Sequence, residues 1–400
     1  MHCALEPLRR PASSQDEGEG FSFWISPQTT IAHPGLKMHH FNADADEQAG
    51  TEGVLGSGRV EVLRIYCEMI SPERLRGPDL RAFFKEFRSS LVVGGRRWGG
   101  RVELVLKVEL PGAEGVGLDA GLLALLRERE ALCVDRIWLW GQLADRSRIY
   151  LNTGSWPLVF AGWERLVDGL DAAGLSPEGL FFDLEPDFDL LEGLFRGDLR
   201  ALWSMFRRYG RGDHRGRVDQ VAEALGRLRA RVGVEVPVLA ACFPTGWLGP
   251  LGPLVARVSG APLVGTSGVM IWDEVTAMNY TSFLLPWMGG ANAVALWIAA
   301  RAGGVVARAH VRQASRQGAR GSVICGVCGV GVLGDEPCYP SPESMASVLR
   351  EVAQAGPRAL EIFNLMGLIQ AGAEVGEVRV DEDRWRRWAW AVSGALSAQG

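Results

Sequence analysis

From residue 60 onward, short apolar runs alternate with longer amphipathic segments, and this alternation constrains the fold more than any other feature of the chain. Each apolar run has the length of a strand, and each following segment has the length and periodicity of a helix. The predicted strands are Val60–Met69, Val102–Leu110, Asp135–Gln142, a fourth within 179–191, Val236–Phe243, Val275–Phe283, Ser322–Val330 and Ala359–Leu365.

Repeated strand–helix pairs indicate parallel strands joined by crossover helices, and eight of them favour a closed barrel. We therefore predict an α/β fold, a (β/α)8 TIM barrel with a polar N-terminal arm and long βα loops. An open doubly wound sheet is the alternative, but the turn after its first strand would carry a glycine fingerprint. The residues at that position, EMISPERL, contain no glycine.

The chain divides by composition into two regions. Residues 1–58 are polar and rich in Gly, Ser, Asp and Glu, which predicts an arm that is partly disordered or loosely docked. Residues 59–400 form the predicted barrel domain.

Composition and charge exclude several classes of partner. The apolar fraction of 47% is enough for a large core, and a net charge of −5 with interspersed signs gives no nucleic-acid footprint. No apolar stretch has the length of a membrane span or of a signal-peptide core. We expect no nucleic-acid partner, no membrane association and a cytoplasmic protein as written; the oligomeric state stays open.

No cofactor or metal is predicted. Cys325 and Cys328 form one CxxC pair inside a strand, with no second pair or histidine pair near them in sequence. Residues three apart on a strand face opposite ways, so structural thiols are the favoured interpretation.

The stretch GLFFDLEPDFDLL, residues 179–191, carries acids at every second position after an apolar run. Asp183 and Glu185 are two residues apart and point to the same side of a strand. Working residues of such barrels lie at the carboxyl ends of strands, where two close carboxyls raise one pKa. We expect that pKa to be the one of Glu185, which would then donate a proton to a glycosidic bond. The alternative is a solvated loop start, which explains Asp187 and Asp189 well.

Other polar and aromatic residues lie at the predicted strand ends, where sugar rings could stack or hydrogen-bond. The candidates for substrate binding are Tyr66, Trp138, Trp140, Gln142, Asn279, Glu361 and Asn364.

Residues 178–185 resemble the fourth-strand signature D-G-x-D-x-D-x-E of family 18 glycoside hydrolases, the chitinase-like barrels. Gly179, Asp183 and Glu185 match it, whereas Glu178 and Phe181 stand where the first two acids are expected. Met278-Asn279-Tyr280 is similar to the family's M-x-Y-D, with Thr281 in place of the acid.

The resemblance implies a glycoside hydrolase that cleaves a β-linked, N-acetylated oligosaccharide or polysaccharide. It implies that Glu185 is the general acid, that Asp183 orients the N-acetyl group of the substrate, and that Tyr280 supports that group.

Two further resemblances share Glu185 as proton donor. Leu184-Glu185-Pro186 is similar to the N-E-P ending of the large retaining glycosidase clan, for which Glu336 would be the second carboxylate. Asp183-Leu-Glu185 also resembles the D-x-E of family 25 lysozyme-like barrels.

Two non-hydrolase alternatives stay open. The departures at Phe181 and Thr281 are compatible with a carbohydrate-binding barrel that has lost catalysis. The glycines after the seventh strand are compatible with an enzyme acting on a phosphorylated metabolite.

Overall fold

The structure is a computed structural model that describes residues 59–112, 118–145, 149–195, 198–245, 248, 251–329, 337–370 and 378–399. The predicted N-terminal arm lies outside these residues, so the domain boundary at residue 58 stays a prediction. Glu336, the candidate second carboxylate, also lies outside them.

Eight parallel strands form a closed barrel in sequence order, and Val62 of the first strand pairs with Ala359 of the last. The strands are β1 (Val62–Cys67), β2 (Arg101–Glu109), β3 (Arg136–Gln142), β4 (Leu180–Leu184), β5 (Val238–Cys242), β6 (Glu274–Met278), β7 (Arg320–Val327) and β8 (Ala359–Phe363). The prediction of a (β/α)8 barrel is therefore confirmed.

Helices surround this barrel in the described part of the chain. The α-helices are Pro72–Leu75, Pro78–Ser90, Ala120–Arg127, Trp156–Ala172, Phe188–Phe195, Leu199–Met205, His214–Val232, Gly252–Ser259, Ala293–Arg316, Pro342–Gln354, Leu365–Ile369 and Glu382–Ser397. A π-helical turn, Phe206–Gly210, follows Met205, and a small hairpin pairs Val92–Val93 with Arg96–Arg97.

The helix starts follow from local side-chain chemistry. The sequence predicts a helix with Ser71 as cap and Pro72 in its first turn, and in the structure Ser71 accepts a hydrogen bond from the backbone of Arg74. Ser341 and Ser344 form a reciprocal capping box at the helix Pro342–Gln354. These caps satisfy backbone donors that the first turn of a helix leaves without partners.

Two predicted elements differ from the structure. The sixth strand ends at Met278 rather than Phe283, because the chain turns into a 3-10 segment at Thr281–Leu284 and Thr281 bonds the hydroxyl of Tyr339 at 2.8 Å. The sequence also predicts a helix across 290–302 and a second segment to 317, whereas the structure has one helix, Ala293–Arg316. Its Gly303 gives room for the close approach of Asn279, since a Cβ there would lie 3.3 Å from the Asn279 Nδ2 atom.

The helix Ala293–Arg316 is long and apolar enough to cross a membrane by length and composition alone. It occupies the position between β6 and β7 and buries a stripe that includes Ala299, Gly303 and Ala307. The small residues of this stripe are those expected of a helix packed against a sheet.

The barrel separates two apolar cores. An outer core lies between strands and helices, and an inner core inside the barrel contains Tyr66, Val105, Trp140, Phe181 and Met278 among others. This arrangement follows from the alternation of side chains along each strand.

Arg64 lies at the centre of a buried ionic cluster inside the barrel, which we call the Arg64 network. Its guanidinium, which has no solvent exposure, donates to Glu103 at 3.1 Å, to Glu274 at 2.9 Å and to Glu361. The ring centroid of Trp138 lies 5.0 Å from the central carbon of this guanidinium, and the indole N–H of Trp138 donates to Glu103 at 2.7 Å. The network therefore links β1, β2, β3, β6 and β8.

The pKa values of Glu274 and Glu361, two acids of the Arg64 network, are shifted in opposite directions. Burial acts to raise the pKa of Glu274, but Arg64 and Arg358 outweigh it, so the pKa of Glu274 is lowered. Burial raises the pKa of Glu361, and Arg64 compensates only in part. The Arg64 cation is thus the main group that makes ionised carboxylates tolerable in the barrel interior.

We expect Arg64→Met to reduce the free energy of unfolding by about 3–5 kcal/mol, because it leaves buried carboxylates without their cation. Urea denaturation measures this change. The matched control is Arg386→Met, which breaks an exposed pair with Glu382 one helical turn away and should cost at most about 0.5 kcal/mol. An Arg64→Met protein as stable as the control would contradict this role.

Candidate active site

The outward packing of Phe182 determines which way the other residues of β4 point. The centroid of its ring lies 5.6 Å from that of Phe160, and 5.2 Å from the ring centroids of both Trp163 and Trp272. All three of these rings belong to the outer core. Because side chains alternate along a strand, Phe181 and Asp183 point into the barrel. Phe181 packs there against Tyr66 at 5.5 Å.

Asp183 and Glu185 form a carboxyl pair at the carboxyl end of β4, where the barrel opens; we call this opening the mouth. They are 9% and 7% exposed, and their side chains are hydrogen-bonded to each other. Burial, followed by the negative charge of Glu68, raises the pKa of Asp183 to about 8. The hydrogen bond with Glu185 acts the other way and lowers it, as expected when Glu185 donates and Asp183 accepts.

The raised pKa found in the structure is therefore the one of Asp183, whereas the sequence led us to expect it at Glu185. The two carboxyls titrate as a unit, and the pair retains a proton at neutral pH. The expectation for Glu185 stays a prediction.

Three more ionisable residues are linked to the pair: Glu68 acts on it, Lys107 pairs with Glu68, and Tyr150 is affected by its charge. Glu68 follows β1 and accepts a hydrogen bond from Lys107 of β2 at 2.9 Å. Tyr150 lies in the loop after β3, and burial raises its pKa, with smaller contributions from the charges of Glu185, Asp183 and Glu68. Residues from four strands or their loops thus converge on the mouth.

Asn152 fixes the chain just beyond the carboxyl pair. Its fully buried amide donates to the backbone oxygen of Glu185 at 3.2 Å and to Asp187 at 3.0 Å. Its Oδ1 atom accepts from the backbone of Gly154 and Ser155, both at 2.9 Å. Because one side chain bonds both loops, the loop after β3 and the end of β4 are held together.

The second pair of acids in the 179–191 stretch has separate roles. Asp187 is buried and pairs with Arg208 at 2.5 Å, and its backbone N–H donates to the hydroxyl of Tyr209 at 3.2 Å. Asp189 is exposed in the first turn of the helix Phe188–Phe195. Neither residue belongs to the carboxyl pair. Asp189 agrees with a solvated loop start, whereas Asp187 is buried and bonded to its neighbours.

Three of the other predicted site residues also lie at the mouth. Trp140 packs its ring 5.7 Å from Phe181, and Gln142 follows it two residues later on the same side of β3. Tyr280 follows β6, packs 6.1 Å from Phe363 and acts electrostatically on Tyr150.

Tyr66, Trp138 and Glu361 lie deeper in the barrel. Glu361 has no solvent exposure and accepts hydrogen bonds from Tyr66 at 2.5 Å and Thr276 at 2.8 Å, in addition to Arg64. Trp138 is committed to Glu103 of the Arg64 network. We therefore leave these three residues out of the proposed substrate contacts.

Asn279 and Asn364 do not face the mouth either. Asn279 points away from the barrel interior and donates to the backbone oxygen of Gly303 at 3.2 Å. Asn364 caps the helix Leu365–Ile369 and accepts from the backbone N–H of Gly367 at 3.2 Å. Their side-chain bonds join structural elements, so we exclude both from the proposed contacts.

Sequence reasoning missed Tyr150 and Asn152, which come from a loop without any local signal of function. Glu68 and Lys107 lie at strand ends, and the strand-end rule that identified Asp183 also points to both of them. Among the described residues, no group of three His, Cys, Asp or Glu side chains is arranged to hold a metal ion.

A cavity of about 720 Å³ lies away from the carboxyl pair, bounded by His214, Arg257, Leu263 and Gln313, among other residues. Burial lowers the pKa of His214 to about 4, so this imidazole is neutral at pH 7. The cavity contains none of the predicted site residues.

No protein-family model and no curated protein matches the chain. Among solved structures, a broad-specificity endoglucanase from Clostridium longisporum is 10% identical with a TM-score of 0.49, over 84% of this chain and 96% of that one. A family 5 xyloglucanase from Paenibacillus pabuli is 10% identical with a TM-score of 0.46, over 85% and 98%. Sph3 from Aspergillus clavatus, solved with GalNAc, is 11% identical with a TM-score of 0.39, over 83% and 97%. At these values, the likeness concerns barrel architecture.

Because the charge of Glu68 raises the pKa of Asp183, substitutions that change this charge or its pairing should shift that pKa. Carboxyl NMR titration measures the shift. Glu68→Gln removes a negative neighbour and should lower this pKa. Lys107→Met removes the cation that pairs with Glu68 and should raise it. Shifts of the same sign in both variants, or none in either, would show that Glu68 does not act on Asp183 as described.

Proposed function

We propose that the chain is a glycoside hydrolase that cleaves a β-linked, N-acetylated oligosaccharide or polysaccharide, with Glu185 as general acid. The observation that carries this proposal is the hydrogen-bonded pair of Asp183 and Glu185, nine-tenths buried at the carboxyl end of β4. A carboxylic acid that stays protonated near neutral pH is what protonation of a glycosidic oxygen requires.

In the proposed reaction, Glu185 gives its proton to the glycosidic oxygen as the bond between that oxygen and the anomeric carbon breaks. The acetamido oxygen of the substrate attacks the anomeric carbon, and Asp183 accepts a hydrogen bond from the acetamido N–H. Water then opens the resulting ring and returns a proton to Glu185. Tyr280 supports the acetamido group at the same mouth.

The two residues that depart from the family 18 pattern have structural contacts in this protein. Phe181, in place of an acid, fills the barrel interior against Tyr66 and Trp140. Thr281, in place of the last acid, bonds Tyr339. The proposal therefore relies on Asp183, Glu185 and Tyr280 alone, and a barrel that binds saccharide without cleaving it is the competing outcome.

Glu185→Gln should reduce kcat/KM by about 10²–10⁴-fold, because it keeps the size of the side chain and removes the proton. The assay is release of reducing ends from N-acetylated and unsubstituted β-linked oligosaccharides. Asp189→Asn, from the same run of acids but exposed, is the matched control and should leave activity unchanged. Binding without turnover by the wild type would support the non-catalytic barrel instead, and activity unaffected by Glu185→Gln would reject the assignment.

Asp183→Asn should move the alkaline limb of the pH–rate profile to lower pH by about one unit. Removing the Asp183 charge lets Glu185 lose its proton more easily, and about one pKa unit corresponds to ~1.4 kcal/mol. The measurement is kcat/KM against pH for the wild type and the variant. If activity persists and the limb does not move, the two carboxyls do not function as a coupled pair.

A further inference from the structure

Three polar atoms in the mouth have no hydrogen-bond partner within the described part of the chain: Nε1 of Trp140, Oε1 of Gln142 and Oδ1 of Asp183. Their residues are 4%, 3% and 9% exposed. Buried polar groups in native proteins nearly always have a partner, so exceptions that cluster at one place call for an explanation.

The three atoms belong to adjacent strands at neighbouring levels. Trp140 of β3 pairs in register with Phe181 of β4. Two residues further along each strand, on the same inward side, stand Gln142 and Asp183. The Trp140 ring lies 5.7 Å from Phe181 and 6.1 Å from Tyr66, which positions the indole at the floor of the mouth.

An indole N–H without a partner does not indicate a ligand by itself. Trp163 and Trp388 also have unpartnered N–H groups, but both lie in the outer core between strands and helices. Trp140 differs because an unpartnered acceptor follows it two residues later and an unpartnered carboxyl oxygen lies on the next strand. A donor, an acceptor and a carboxyl thus lie at neighbouring inward positions of β3 and β4, and Glu185 follows Asp183 on the same side.

We propose that Trp140 and Gln142 form a specificity subsite that binds a polar substituent of the sugar ring held next to Asp183 and Glu185. This inference rests on the proposed function. The substituent accepts a hydrogen bond from Trp140 Nε1 and donates one to Gln142 Oε1, which both a ring hydroxyl and an acetamido group can do. The subsite selects sugars because a ring without such a substituent leaves two buried groups without partners.

The experiment measures binding of two probes, triacetylchitotriose and cellotriose, by titration calorimetry. The full chain carries Glu185→Gln in every sample, so that no probe is cleaved. Trp140→Phe removes the N–H donor and keeps an aromatic ring, although a smaller one, and Gln142→Met removes the amide at nearly constant volume. Trp388→Phe deletes a buried and unpartnered N–H in the outer core and serves as the matched control.

Each mouth substitution should weaken binding of a probe by about 10- to 100-fold, the effect of leaving one buried partner unsatisfied. Trp388→Phe should leave the affinity unchanged. A loss confined to triacetylchitotriose identifies an acetamido group as the substituent, whereas a loss with cellotriose identifies a hydroxyl. Equal affinities in all variants, or no binding of either probe by the Glu185→Gln protein, would overturn the subsite.

Thermal unfolding of each variant separates a binding defect from a folding defect, and either mouth variant that folds is sufficient for the test. The subsite and the hydrolase can fail separately. Variant-dependent binding without any turnover by the wild type retains the subsite and removes the hydrolase. Turnover whose KM is the same in the Trp140 and Gln142 variants retains the hydrolase and removes the subsite.

Discussion

The buried ion pairs of Arg64 are the interaction on which the barrel depends. A guanidinium with no solvent exposure bonds carboxylates from β2, β6 and β8, strands that meet across the barrel interior. Such a cluster is costly to desolvate, and its members tolerate burial only because each carboxylate has a cation or hydroxyl donor. Tyr66 connects the Arg64 network to the mouth, because its hydroxyl bonds Glu361 while its ring packs against Trp140 below the mouth.

The candidate site depends on a second constraint, the packing of Phe182 in the outer core. Once that ring lies among Phe160, Trp163 and Trp272, Asp183 must point inward, since a shift by one residue would exchange the two faces of β4. Asn152 then fixes the backbone of Glu185 from the neighbouring loop. Apolar packing thus orients Asp183, the residue whose pKa is raised by burial and by the charge of Glu68.

Sequence periodicity predicted the eight strands because each is a buried run with its own local signal. It failed after Met278, where β-branched and aromatic residues resemble a strand but a contact with Tyr339 turns the chain. It could identify Asp183 and Glu185, since strand ends of barrels carry the working residues. It could not separate Gln142, which faces the mouth, from Glu361, which Arg64 holds in the interior, because that distinction depends on partners hundreds of residues away.

The two ends of the barrel interior differ in how their polar groups are satisfied. In the lower part, Glu361 bonds Arg64, Tyr66 and Thr276, so it has little capacity left for a ligand. At the mouth, Trp140, Gln142 and Asp183 each keep one buried atom without a partner. Unsatisfied buried groups cost stability, and a ligand that pairs with them recovers that free energy on binding. The Arg64 network therefore lies beneath a mouth in which the proposed saccharide would supply the missing partners of Trp140, Gln142 and Asp183.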